Sequence, residues 1–372
     1  MMPLNSNIAG SGEAAICTPN SPTTTAEEVN AATVSNNQDE ACSSTLTTPA
    51  FVVDCSGVDG GDWLMRMAAD SKKRSDDIWA NIELGQNKEY IEWLQRWDSF
   101  LVNHVLQPLP SPNTQMKTLV RFGIPHAYRG RVWKSIVNFL TNNIQAETGK
   151  GYYACLLKKA EKIQDTSNLI RTLPTNKMFE KEDSQKAQML KNVLYAFRFH
   201  NKEVEYCQGL NRLAAIGLLY LQEADAFWFL VSCVEYLQPP DYYTPSLVGA
   251  VVDQKVLLDL VQEKIPNLWV HLRQVDVDLT LFTLSWFLTV FVDTLSHKIY
   301  INIFDVFLCE GNKVLFRFAL ALLKSVNQKF WMVDYKSLAD IAFNQMNPFP
   351  AKAIEIKRAN YMAHFKSVPR SK

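Results

Sequence analysis

Residues 186–201, KAQMLKNVLYAFRFHN, set Met189, Leu190, Val193, Leu194 and Phe197 along one stripe at helical spacing, with no Gly or Pro between them. The pattern predicts an amphipathic helix with one buried face. On its N-terminal side lies Asn168-Leu169-Ile170-Arg171-Thr172-Leu173-Pro174, and on its C-terminal side Tyr206-Cys207-Gln208-Gly209-Leu210-Asn211. Pro174 disfavours helical backbone at Leu173, so Arg171 falls at a fraying helix end or on the loop after it, free to reach outward. Gln208 stands directly before a glycine and a strongly apolar helix, Leu210–Leu221. The glycine permits tight backbone, and the helix start directs unpaired N–H groups and a partial positive charge toward whatever Gln208 faces, a place that suits a phosphate.

The same helical periodicity continues on both sides. Helices are expected over Leu210–Gln222, Ala224–Leu237, Asp253–Ile265, Leu279–Ser296 and Lys313–Ser325, and after Gly123-Ile124-Pro125 in a segment that places Arg129 and Trp133 four apart on one face. Alternating strand patterns with hairpin turns are absent, and so is any repeat at fixed period, so the class is all-α. Pro239-Pro240 and Pro266 end helices, and Asn347-Pro348-Phe349-Pro350 precedes a last basic amphipathic helix from Ala351 to about Lys366. Upstream, apolar residues from Ser75 to Leu106 read as two short helices broken near Gly85-Gln86-Asn87. Pro108-Leu109-Pro110-Ser111-Pro112 then forces extended backbone. The expected organisation is a disordered tail over 1–50, a helical lead-in and Pro-rich linker over 51–112, the main domain over 113–325 and a helical extension over 326–372.

Composition narrows the function classes. Lys+Arg and Asp+Glu are equal at 38 each, which favours neither nucleic acid nor an acidic surface. Residues 1–50 hold five acidic side chains, no Lys or Arg and no aromatic ring, too little apolar area to offset the entropy of ordering. The rest carries 38 basic against 33 acidic side chains, a net charge of +5. Seven cysteines, scattered and without a C-x-x-C pair, speak against a disulfide framework or a zinc site and for a reducing, cytosolic setting. No basic n-region precedes an apolar run at the N-terminus. Leu279–Val292 is uncharged for only 14 residues, too short to span a bilayer, and reads as a buried core helix. No P-loop pattern occurs, so any nucleotide would be met on a partner. The basic stripe of Lys352, Lys357, Arg358, Lys366, Arg370 and Lys372 reads as a solvated face, with contact to an anionic membrane as the alternative.

Taken alone, Arg171 fits a solvated surface arginine and Gln208 a helix-capping glutamine beside buried Tyr206 and Cys207. Their ordered neighbours change that. Gly123-Ile124-Pro125 with Arg129-x3-Trp133, then Asn168-x-x-Arg171-Thr172-Leu173-Pro174, then Tyr206-Cys207-Gln208-Gly209-Leu210-Asn211, then Phe304-Asp305-x-Phe307-Leu308-x-Glu310-Gly311 together resemble the TBC domain, from about Leu119 to Lys324. Val252-Asp253-Gln254-Lys255-Val256-Leu257, Val277-Asp278-Leu279 and Ile341–Phe349 resemble its Armus-type subfamily, whose longer members add a PH domain and a coiled coil.

The resemblance implies an all-helical GTPase-activating protein for Rab GTPases. It would have no independent turnover and no cofactor of its own, with GTP and Mg²⁺ carried by a GTP-bound Rab partner. Arg171 would lie against the β–γ phosphate bridge, and Gln208 would replace the GTPase's water-positioning glutamine. Developing charge on the phosphoryl group calls for a fixed guanidinium, and the attacking water for an oriented amide. Tyr206, Gly209 and Asn211 would support Gln208, while Arg129 and Trp133 would tie the first helix to the site floor, with Asp305 in the scaffold. A cytoplasmic protein recruited to endosomal or other vesicle membranes is the implied setting.

One departure stands out. The family's second motif has an aspartate three residues before the arginine; here Asn168 stands there, with Asp165 three positions further upstream. Asn keeps an acceptor but loses the charge that pairs with a guanidinium. A catalytically weak adaptor that binds a Rab or a scaffold is therefore the alternative reading. A Cys207–His200 nucleophile pair lacks a third member in the sequence.

Overall fold

The helix that follows Gln208 is apolar around nearly its whole circumference, which leaves it nowhere to go but the centre of a helical body. The computed structural model describes residues 88–104, 112–161, 184–204, 209–325 and 334–367, and every regular element among them is helical. In chain order these are α1 (Lys88–Val102), α2 (Thr114–Arg121), α3 (His126–Thr148), α4 (Tyr152–Glu161), α5 (Gln185–His200) and α6 (Leu210–Tyr220). Then come α7 (Glu223–Val231), α8 (Val248–Lys264), α9 (Pro266–Gln274), α10 (Thr280–Thr289), α11 (His297–Glu310), α12 (Lys313–Ser325), α13 (Tyr335–Asp340) and α14 (Ala351–Ser367). Two π-helical turns, Ser232–Tyr236 and Ile341–Gln345, follow α7 and α13 directly. The chain is all-α. The expected disordered tail and the first lead-in helix lie outside the described residues.

The stripe helix α5 forms as its pattern predicts. Ser184 caps it by accepting from the Ala187 N–H at 3.1 Å, and Leu190, Val193, Leu194 and Phe197 are buried against α6 and α7. Within α6, Leu213, Ala214, Ala215 and Leu218 are fully buried. Each large apolar side chain so buried contributes about 1.5–3 kcal/mol relative to exposure. α10 packs on α6, α8 and α12, and α11 lies against α2, α3 and α12.

Three elements depart from the sequence reading. Leu279–Ser296 is not one helix: α10 stops at Thr289, and Val290 and Phe291 turn the chain with φ of 52° and 64°. Both side chains are fully buried, and that burial offsets a left-handed backbone disfavoured for such residues. Nor is the segment buried throughout, because Leu281 is 82% exposed. Second, Ala224–Leu237 is helical but not uniformly α, since the Ser232–Tyr236 turn is wider.

Third, the basic stripe of the last helix is not simply a solvated face. Arg358 forks onto Asp253 of α8 at 2.7 and 3.1 Å, and Lys357 reaches Asp259 at 2.9 Å. Asp253 has no exposure, so Arg358 neutralises a carboxylate inside the fold. Lys255 adds cation–π contacts to Tyr361 and Phe365 at 5.8 and 4.6 Å. Together these contacts clamp α14 along α8. No helix among the described residues is long and apolar enough to cross a membrane.

Candidate functional site

Arg129 and Trp133 lie one turn apart on α3, and that spacing aims both at a single carboxylate on α11. Arg129 Nε donates to Asp305 Oδ1 and Nη2 to Oδ2, each at 3.0 Å, while Trp133 Nε1 donates to Oδ1 at 2.7 Å. The Ile124 N–H adds a fourth donor at 3.1 Å, and Arg129 Nη2 donates in turn to the Ile124 carbonyl at 2.7 Å. Asp305 is fully buried and Arg129 only 5% exposed. Burial works against the guanidinium charge, but Asp305 more than offsets it, so Arg129 is held above its ordinary range and stays protonated. The node thus satisfies every group it desolvates at the carboxylate.

This node braces the far end of α6. The Arg129 guanidinium lies 5.2 Å from the Tyr220 ring, and Trp133 is 5.1 Å from the same ring. A Cβ added at Gly130 would come within 2.6 Å of the Tyr220 carbonyl, so only glycine lets α3 approach the C-terminus of α6 this closely. Tyr220 is the last residue of α6, about 15 Å of helix from its first turn. Arg129 and Trp133 thus hold the end of α6 opposite Gly209, the residue that follows Gln208 in the chain.

At the first turn of α6, Gly209 is the N-cap with φ +113° and ψ −29°. A Cβ there would meet the Leu288 carbonyl at 3.4 Å and Thr289 Cγ2 at 3.5 Å, ordinary contacts, so the backbone conformation demands the glycine. Its carbonyl accepts from the N–H groups of Arg212 and Leu213 at 3.0 and 3.1 Å, closing the first turn. Asn211 is 1% exposed in that turn, and its Oδ1 accepts from the Arg212 N–H at 2.9 Å. The Arg212 side chain pairs with Asp293, beyond the buried Val290-Phe291 turn. The end of α10 is held in turn by the Tyr243 hydroxyl, which donates to the Leu288 carbonyl at 3.0 Å. Arg171, Asn168, Asp165, Tyr206 and Gln208 lie outside the described residues.

The burial of Glu310, like that of Asp253, is not legible in the sequence. Glu310, placed only as part of the last motif, takes Arg121 Nε and Nη2 at 2.5 and 2.9 Å and has a side chain 2% exposed. Its partner lies 189 residues upstream, and no periodicity links positions so far apart.

The profile described as the Rab-GTPase-TBC domain matches residues 126–331. TBC1 domain family member 2B of Homo sapiens is 40% identical over 316 residues, covering 78% of this chain and 32% of that protein. TBC1 domain family member 2A of Mus musculus is 41% identical over 274 residues, covering 67% of this chain and 29% of that protein. The chain thus spans about a third of the length of the curated relatives it matches. Among solved structures, the Chlamydomonas flagellar RabGAP TBC domain covers 80% of this chain and 96% of its own, with a TM-score of 0.54 at 26% identity. The TBC domain of Skywalker/TBC1D24 from Drosophila melanogaster shares the fold at a TM-score of 0.52 and 14% identity. The chain belongs to the Rab-GTPase-TBC domain family, beside the 2A and 2B members, of which 2A is Armus.

Proposed function

We propose that this chain is a GTPase-activating protein for Rab GTPases, acting through Arg171 and Gln208 on a GTP-bound partner. Family membership over residues 126–331 is the observation that carries the reading. The geometry of Gly209 supports it: Gln208 is bonded directly to a residue in a glycine-only conformation that opens a buried helix. An amide presented from such a fixed point can orient a water without reorganising in the transition state. Arg171 supplies the guanidinium for charge developing between the β and γ phosphates, an effect worth roughly 10³ to 10⁵ in rate for GTPases. GTP and Mg²⁺ come with the Rab, and the chain works on the cytoplasmic side of vesicle membranes, endosomal ones first.

Asn168 favours a second reading, an adaptor that binds a Rab without accelerating hydrolysis, because it removes the carboxylate that would pair with Arg171. Single-turnover phosphate release across a panel of GTP-loaded Rabs separates the two. The activator stimulates at least one Rab and loses that effect as Arg171→Ala or Gln208→Ala. The adaptor binds a member of the panel and leaves its hydrolysis at the intrinsic rate.

A further inference from the structure

The chain leaving α5 toward Gly209 is anchored by a side chain from another helix. Asn201 follows the last residue of α5 and donates its N–H to the Phe197 carbonyl at 2.8 Å. Its Oδ1 accepts from the N–H groups of Glu203 and Val204 at 3.1 and 3.0 Å, which folds 201–204 into a tight turn and tucks Val204 into the core. The other end of that amide, Nδ2, donates to Glu235 Oε1 at 2.8 Å. The same oxygen lies 3.3 Å from His200 Nε2, and His200 Nδ1 is 3.0 Å from the Tyr152 hydroxyl. One carboxylate oxygen therefore holds both the last residue of α5 and the first residue after it. Burial works against the Glu235 charge, yet His200 and Asn201 together keep its carboxyl below the usual range.

Glu235 reaches α5 from the π-helical turn. The Leu237 N–H donates to the Ser232 carbonyl five residues back at 3.0 Å, so the turn holds one residue more than an α-turn. That extra residue rotates the chain beyond it by about 100° relative to a continuous α-helix. Cys233 and Val234 stay in the core while Glu235 meets Asn201. Such wide turns inside α-helices occur frequently at functional sites.

We infer that Glu235 is a positioning residue for the proposed reaction: through Asn201 it fixes the turn from which residues 205–208 depart, and so sets where Gln208 is presented. The inference rests on Gln208 acting as a catalytic finger. Gly209, the residue after Gln208, has its own left-handed conformation.

The test uses the full chain carrying Glu235→Ala, Glu235→Gln or Asn201→Ala, each alone and combined with Gln208→Ala. Hydrogen exchange at the Glu203 and Val204 amides is read first, since it needs no GTPase. Glu235→Ala and Asn201→Ala raise that exchange about tenfold or more while the core amides of α6 keep theirs. In single-turnover GTP hydrolysis the same two variants lower kcat about tenfold with KM unchanged, the pattern of a displaced catalytic group. Glu235→Gln keeps an acceptor for Asn201 Nδ2 and stays within about threefold of wild type. In the Gln208→Ala background, Glu235→Ala causes no further loss, because both act through one side chain.

Unchanged exchange at Glu203 and Val204 overturns the inference. So does raised exchange with full kcat, or a loss that adds to that of Gln208→Ala. If Gln208→Ala alone leaves stimulation intact, the finger reading of Gln208 fails, and with it the catalytic role of Glu235. The exchange result then still decides whether Glu235 holds the turn.

Discussion

The Arg129 guanidinium and the Asp305 carboxylate, 176 residues apart in sequence, meet through two hydrogen bonds of 3.0 Å with side chains 6% and 0% exposed. At that burial the loss of one partner strands the other's charge in the core. Asp305→Asn or Arg129→Met should each lower unfolding free energy by about 3–5 kcal/mol. The double variant Arg129→Met/Asp305→Asn should lose less than the two single losses together, because neither charge remains. Urea or guanidinium denaturation of the four proteins measures the coupling, and strict additivity would refute it.

Gly209 should tolerate no side chain. Its φ of +113° is a region that L-residues avoid, while the surrounding space is ordinary. Gly209→Ala is expected to cost about 1–3 kcal/mol in stability and to reduce GTPase stimulation further than that cost explains, because Gln208 precedes it directly. Thermal unfolding and single-turnover rates on the same preparation check both halves.

Arg171→Ala and Gln208→Ala should each reduce stimulation of a responsive Rab by about 10³-fold or more, and the double variant by little beyond either, as expected for groups acting on one transition state. Asn168→Asp should raise stimulation or leave it unchanged, since it restores a carboxylate near Arg171. A fall in the Asn168→Asp rate would mean that the local geometry is already adapted to asparagine.

The C-terminal helix should be coupled to the rest of the body through one arginine. Arg358 is the guanidinium on the fully buried Asp253, and Asn312 Nδ2 is a further donor to that carboxylate, at 3.1 Å. Arg358→Met should cost about 3–5 kcal/mol and raise hydrogen exchange along α14, whereas Lys352→Met at an exposed position should change neither.

Glu310 makes a prediction in pH. Burial opposes its charge, but Arg121, Lys313 and Arg317 outweigh burial and hold the carboxyl below its ordinary 4.5. A carboxyl lowered in the fold contributes stability that is present above its unfolded value and lost as pH falls through the folded one. Unfolding free energy should therefore drop as pH falls below about 4.5, and Glu310→Gln should flatten that drop while lowering stability at neutral pH. Denaturant titrations at a series of pH values from neutral into acid follow the slope.

Hydropathy spacing placed α5, α6, α7 and α12, because the 3.6-residue period of α5 and the uniformly apolar run of α6 leave few ways to be buried, but it singled out none of α4, α9 and α11. It also placed Gly209 before a helix and Arg129 and Trp133 on one face. It could not see that the helix expected over Leu279–Ser296 would break at Val290, since a left-handed turn by two non-glycine residues is stabilised by the pocket that receives them. It read Lys357 and Arg358 by composition as solvent-facing, and their carboxylate partners on α8 lie about a hundred residues away. The Arg129 node was legible as a set of residues but not as a location, because which end of α6 it braces depends on how α3 crosses that helix.

What the sequence determined by itself was local: the positions of the clearest helices, the glycine before α6 and the order of the motifs. The tertiary structure decided which donor meets each buried or half-buried carboxylate, Arg129 with Asp305, Arg121 with Glu310, Arg358 with Asp253 and Asn201 with Glu235. The physical reason is range. Backbone periodicity acts over a few residues, whereas a buried carboxylate is satisfied by whichever donor the packing of distant helices brings within hydrogen-bonding distance.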